Sequence, residues 1–118
     1  MGRVLALVDD LFFRQKIVET ARLTNVEVAC FATPDDLVDE ARAHAPALVL
    51  VDLNSAQNPV ASIGRLGAGN SAPVIGFLSH VQVDLAEDAR RAGFTHVMPR
   101  SQFSKELPTI LARAKAAP

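Results

Sequence analysis

Tryptophan and tyrosine are missing from the 118 residues, and cysteine occurs once, as Cys30. A lone cysteine excludes an intramolecular disulfide, so the fold must be held by its own apolar core, in which Cys30 itself reads as a small hydrophobe. With no Trp or Tyr there are few platforms on which nucleobases could stack. Neither sign of charge is in surplus: twelve Lys and Arg stand against thirteen Asp and Glu, for a net charge of −1. That balance supplies no general field for nucleic acid or an anionic membrane. No apolar run nears the roughly 20 residues that cross a bilayer, and Met1-Gly2-Arg3 leads into strand-like sequence instead of a signal peptide. The expectation is a cytoplasmic protein without direct nucleic-acid or membrane contact. What is present is ordinary for a globular chain: 49% hydrophobic and 21% charged residues. A single domain over residues 1–118 can bury roughly two thirds of the surface it exposes when unfolded.

Short apolar, β-branched runs alternate with longer amphipathic stretches, five of each. The runs are 3–8, 26–31, 47–51, 74–78 and, more weakly, 95–98; the first, third and fourth are apolar almost throughout, as parallel strands covered on both faces are. Helices are expected at about 11–23, 34–44, 56–66, 82–92 and 102–116. Thr33 reads as an N-cap, with Pro34 at the first helical position and Asp35 and Asp36 in the first turn. Ala92-Gly93 reads as the stop of the fourth helix. Pro108 disrupts the fifth, so a restart at Ser104 or Leu107 is expected, which would leave the proline in a first turn. Gly67–Pro73 reads as an ordinary loop. Strict alternation at this length implies an α/β, flavodoxin-like, doubly wound (βα)5 fold with a five-stranded parallel sheet in the order 2-1-3-4-5.

Ligands of such sheets bind beyond the carboxyl ends of the strands, where the strand order switches. Asp9 and Asp10 follow the first strand, Asp52 the third, Leu78-Ser79-His80 the fourth and Pro99-Arg100-Ser101 the fifth. Three carboxylates and a guanidinium should therefore converge. Clustered carboxylates raise a pKa or recruit a cation, and an all-oxygen set suits Mg²⁺. The plainer reading is that Asp9 and Asp10 cap the first helix. His80 and His96 are placed near the site, with His80 a contact for a bound phosphoryl group. His44 reads as a partner of its helix terminus. Of Phe12 and Phe13, one should face the core while the other is exposed, as single surface phenylalanines commonly are.

Val8-Asp9-Asp10, Leu48-Val-Leu-Val-Asp52-Leu53, and Ala92-Gly93 with a basic residue seven positions after the glycine resemble the response regulator receiver family over essentially the whole chain. The resemblance implies a signalling module, not an enzyme. By it Asp52 is the phosphoacceptor; Asp10, Asp52 and the backbone carbonyl of Asn54 hold Mg²⁺, and Asp9 acts through a bound water. It implies a sensor histidine kinase or phosphotransfer protein as donor, and a downstream protein or output domain as receiver of the signal. Homodimerisation through the fourth helix, fifth strand and fifth helix is a habit of the family.

Four positions depart from the family pattern. Arg100 stands at the lysine position, where its planar fork can clamp a phosphate or lock Asp52 shut. The hydroxyl switch position falls on Leu78 counted from Pro73, or on Ser79 with one extra strand residue; leucine cannot hydrogen-bond a phosphoryl oxygen. Val97 replaces the aromatic switch residue. Residues 53–59 lack the early Met-Pro step. Two functions remain open, a phosphoacceptor receiver and a pseudo-receiver interaction module that does not switch on phosphorylation. Flavin or nucleotide binding is disfavoured because Asp9 and Asp10 would repel a phosphate. A dehalogenase-like phosphatase would need Asp-x-Asp where Asn54 stands.

Overall fold

The computed structural model describes residues 3–55, 58–66, 72–79 and 82–116. Along the chain run β1 (Arg3–Leu7), α1 (Leu11–Thr24), β2 (Glu27–Phe31), α2 (Pro34–Ala43), β3 (Leu48–Asp52), α3 (Pro59–Gly64), β4 (Val74–Leu78), α4 (Val83–Arg91), β5 (His96–Pro99) and α5 (Arg100–Ala116). All neighbouring strands are parallel, in the order β2-β1-β3-β4-β5. The expected doubly wound sheet is therefore present. Most of the expected loop at 67–73, the start of the expected third helix at 56–57 and His80 lie outside the described residues.

Side chains alternate across a strand, so each central strand feeds two cores. Val4, Ala6, Leu50 and Phe77 pack towards α1 and α5, with Ile17, Phe103, Leu107 and Leu111. Leu5, Leu7, Val51 and Leu78 pack towards the other layer, with Leu37, Val38, Ile63 and Ala89. Asp52 is two residues beyond Leu50 and so shares its face, that of α1 and α5. Leu78, one residue beyond Phe77, is directed the opposite way.

Helix ends follow the local chemistry. Thr33 accepts the Asp36 N–H at 3.2 Å, and Pro34 stands at the start of α2, where its missing donor is not needed. The chain leaves α1 through Asn25 at φ 59° and passes Gly93 at φ 108° after α4, the left-handed region that glycine enters without a Cβ clash.

Two helices differ from expectation. α3 spans Pro59–Gly64, shorter than 56–66, beginning where proline presets the first turn. α5 neither starts late nor restarts at Ser104 or Leu107; it begins at Arg100 and runs through Pro108. The reason is packing: Phe103, Leu107, Ile110, Leu111 and Ala114 form one buried stripe at helical spacing, while Pro108 lies on the exposed face. Burial of the stripe outweighs the hydrogen bond that Pro108 cannot donate to Ser104.

Candidate functional site

β1 and β3 lie side by side, Asp9 and Asp10 follow β1 and Asp52 ends β3, so Asp10 and Asp52 are brought to the same end of the sheet. α5 starts at Arg100 immediately after β5, which delivers the guanidinium to that end as well. Arg100 Nη1 donates to Asp10 Oδ2 at 3.3 Å and Nη2 donates to Asp52 Oδ2 at 3.1 Å. One planar cation thus spans the two carboxylates.

The acids have different environments. Asp52 is 2% exposed, the single buried polar residue among those described, and burial pushes its carboxyl above the ordinary value. The Asn54 N–H, donating to Oδ1 at 2.9 Å, and Arg100 oppose that rise, whereas the charges of Asp9 and Asp10 add to it. Desolvation wins because the charged form has lost its water. Asp10 goes the other way. It caps α1 by accepting the Phe13 N–H at 3.1 Å, and that bond, assisted by Arg100, holds its carboxyl below the ordinary value. The plainer reading of Asp10 as a helix cap is correct, and the same residue also serves the site. Asp9 is exposed and acts on Asp52 through its charge.

Aromatic rings form the floor. The Arg100 guanidinium lies 4.9 Å from the Phe13 ring centroid and 6.0 Å from that of Phe77. Phe77 stacks on Phe103 at 4.3 Å. Phe13 faces the core and Phe12, 88% exposed, faces solvent. Sequence reasoning named Phe13 as one of two core options but missed its contact with Arg100, because strand order does not fix the side-chain directions on which it depends.

The surroundings rearrange the other expected residues. Asn54 was marked for its carbonyl alone, yet its side chain ties the loop after β3 to the loop after β4: Oδ1 accepts the Ser79 N–H at 2.6 Å and Nδ2 donates to Gln82 at 2.8 Å. Leu78 is buried in the layer opposite Asp52, while Ser79 is exposed. Val97 packs in the same layer as Leu78. His96 is placed wrongly by sequence reasoning: it opens β5 in register with Ile75, so it sits towards the amino ends of the strands, away from the acids. His44 is the C-cap of α2, at the helix terminus where it was expected, and its ring lies 3.2 Å from the Glu40 carboxylate. Cys30 is free and packs against the α1–α5 core.

The oxygen chemistry of Asp10, Asp52 and the Asn54 carbonyl is of the type magnesium takes. In the arrangement seen, Arg100 bonds one oxygen of each carboxylate, so a divalent ion taking those oxygens would have to displace it.

No family model and no curated protein matches the chain. Solved structures match in shape over nearly its full length. The signal receiver domain of NarL from Mycobacterium tuberculosis is 17% identical with a TM-score of 0.80, and 98% of each chain is covered. A response regulator receiver protein from Burkholderia phymatum is 18% identical with a TM-score of 0.79, covering 100% of this chain and 98% of its own. A CheY-like receiver domain protein from Methanospirillum hungatei is 12% identical with a TM-score of 0.80, again with 98% of each chain covered. The chain has the fold of response regulator receiver domains.

Proposed function

We propose that this chain is a signal-receiving module of the two-component type, residues 1–118 forming its receiver unit, and that Asp52 accepts the phosphoryl group. The observation that supports the reading best is the placement of Asp52: a nearly dehydrated carboxylate at the carboxyl end of a central strand, with a guanidinium already bonded to one oxygen. A carboxylate there can act as nucleophile, and a resident cation can neutralise charge on the transferring group. In the transfer an Asp52 oxygen forms the new P–O bond while the P–N bond of a phosphorylated histidine on the donor breaks, and the imidazole leaves with a proton. The donor is a sensor histidine kinase or phosphotransfer protein, and the output is altered contact with a downstream protein or a second copy of the chain, not turnover of a separate substrate. Mg²⁺ belongs to this proposal only with Arg100 withdrawn from at least one of its two acids, since the guanidinium and a divalent ion would use the same oxygens. Among the described residues no helix is long and apolar enough to cross a membrane; a cytoplasmic location is part of the proposal.

The test is an amide NMR spectrum of the protein alone, with Mg²⁺, and with Mg²⁺ and beryllofluoride as the phosphoryl stand-in. Shifts centred on Asp10, Asp52 and Arg100 are expected, and no response would overturn the phosphoacceptor reading. The double grip of Arg100 on Asp10 and Asp52, with Leu78 turned into the opposite layer, favours a second reading as a pseudo-receiver whose interactions do not depend on phosphate. In that case Arg100→Ala would change partner binding with no phosphodonor present.

A further inference from the structure

Phe13 presents an aromatic face to the one cation that links the two acids. Each part of the Arg100 guanidinium has a separate neighbour: Nη1 donates to Asp10, Nη2 donates to Asp52, and Cζ lies over the Phe13 ring, 4.9 Å from its centroid. Nε is buried with no hydrogen-bond partner among the described residues, so no hydrogen bond fixes that side of the fork. The ring is itself anchored by the elements that carry the acids. Its backbone N–H caps onto Asp10, and its centroid lies 5.0 Å from that of Phe77, which pairs with Asp52 across the sheet. A lysine ammonium could supply the charge, but it has no plane to lie on a ring while bonding two carboxylates.

We propose that Phe13 is a positioning residue for this site: its ring holds the Arg100 guanidinium between Asp10 and Asp52, and that hold makes the site depend on arginine in place of lysine. The inference takes Asp52 and Arg100 as the working site but does not require phosphoryl transfer. Because Asp10 also caps α1 onto Phe13, the first turn of that helix is tied to the position of Arg100.

The experiment compares wild type, Phe13→Met, Phe13→Tyr, and Arg100→Lys with and without Phe13→Met. Methionine keeps the apolar volume and removes the ring, whereas tyrosine keeps the ring. The first readout is NMR of the Arg100 side chain, whose protons are expected upfield from the Phe13 ring current. Phe13→Met should abolish that shift and Phe13→Tyr should retain it. An unchanged Arg100 signal in folded Phe13→Met would overturn the positioning role. The second readout is labelling of Asp52 by phosphoramidate in the presence of Mg²⁺. Phe13→Met should slow labelling by about fivefold to tenfold with Arg100 present, between the values of an exposed and a desolvated cation–π contact, and by less than about twofold with Arg100→Lys. Equal slowing in both backgrounds would overturn the proposal, since the ring would then act through general packing. If wild type takes no label, the phosphoacceptor reading fails, and the Arg100 signal alone decides the role of Phe13. If Phe13→Met does not fold, Arg100→Lys with Phe13 intact decides: labelling as fast as wild type overturns the dependence on arginine.

Discussion

At Asp52, burial outweighs the opposing pull of the Asn54 N–H and of Arg100, so its carboxyl is raised in the folded state. A carboxyl raised on folding binds more protons in the native chain than in the unfolded one, so this group's contribution to stability falls as pH rises from the ordinary carboxylate value through its own. Asp52→Asn should therefore stabilise the fold at neutral pH relative to wild type. The advantage should shrink as pH falls through the Asp52 value, as measured by urea unfolding over a pH series; a constant difference would show that Asp52 carries no burial penalty. Asp10 has the opposite sign: lowered by the Phe13 N–H, it contributes stability above the ordinary carboxylate pKa that is lost as pH falls through its own value. Arg100→Ala leaves Asp52 buried and unpaired. Breaking a fully buried pair costs more, but Arg100 keeps 27% of its side chain exposed, so a loss of about 1–3 kcal/mol is expected from denaturant melts. Asp9, Asp10, Asp52 and Arg100 were all legible in the sequence, because strand ends in an alternating chain place them. The seat of Arg100 on Phe13 and the amide ties of Asn54 to Ser79 and Gln82 were not, since they depend on side-chain directions that only the assembled layers fix.

Among the elements, the central strands β1, β3 and β4 were the easiest to read: their runs are almost wholly apolar and both faces are covered. α5 shows where local rules fail. Pro108 argued for a break, but a buried stripe on the opposite face continues the helix through it. Pro108→Ala should restore the missing bond to Ser104 and remove the ring's clash with the preceding turn. Allowing for the greater freedom of the unfolded chain, the gain should be about 1–2 kcal/mol in thermal or urea unfolding. A loss of stability would mean that the proline is accommodated in some other way. Gly76 in β4 carries the reverse lesson, because nothing in its sequence context shows why glycine is needed. A Cβ there would lie 3.0 Å from Leu53 Cδ1 and 3.0 Å from Phe94 Cδ2, within the packed α2–α4 layer. Gly76→Ala should cost about 1–3 kcal/mol by overpacking, and a neutral result would show that Phe94 yields.

The whole molecule is a two-layered wrapping of one parallel sheet, and that topology places chemistry at a single end. β1 and β3 are the neighbours from which the chain runs outward in both directions, so the acids that end or follow them border the switch-point crevice. The order 2-1-3-4-5 could be inferred from alternation and length alone, and solved receiver domains share it in shape at identities below one fifth. Leu78 and Val97 belong to the layer away from Asp52, whereas Arg100, Phe13 and Phe77 link Asp52 to α1 and α5. On the proposed function, a change at Asp52 would reach the first turn of α1, where Leu11 and Phe12 are exposed. The most direct test of Asp52 as phosphoacceptor is the intact mass of the protein after incubation with phosphoramidate and Mg²⁺, with Asp52→Asn alongside. One added phosphoryl group on wild type and none on Asp52→Asn is the expected result; an unmodified wild type, or equal modification of both, would contradict it.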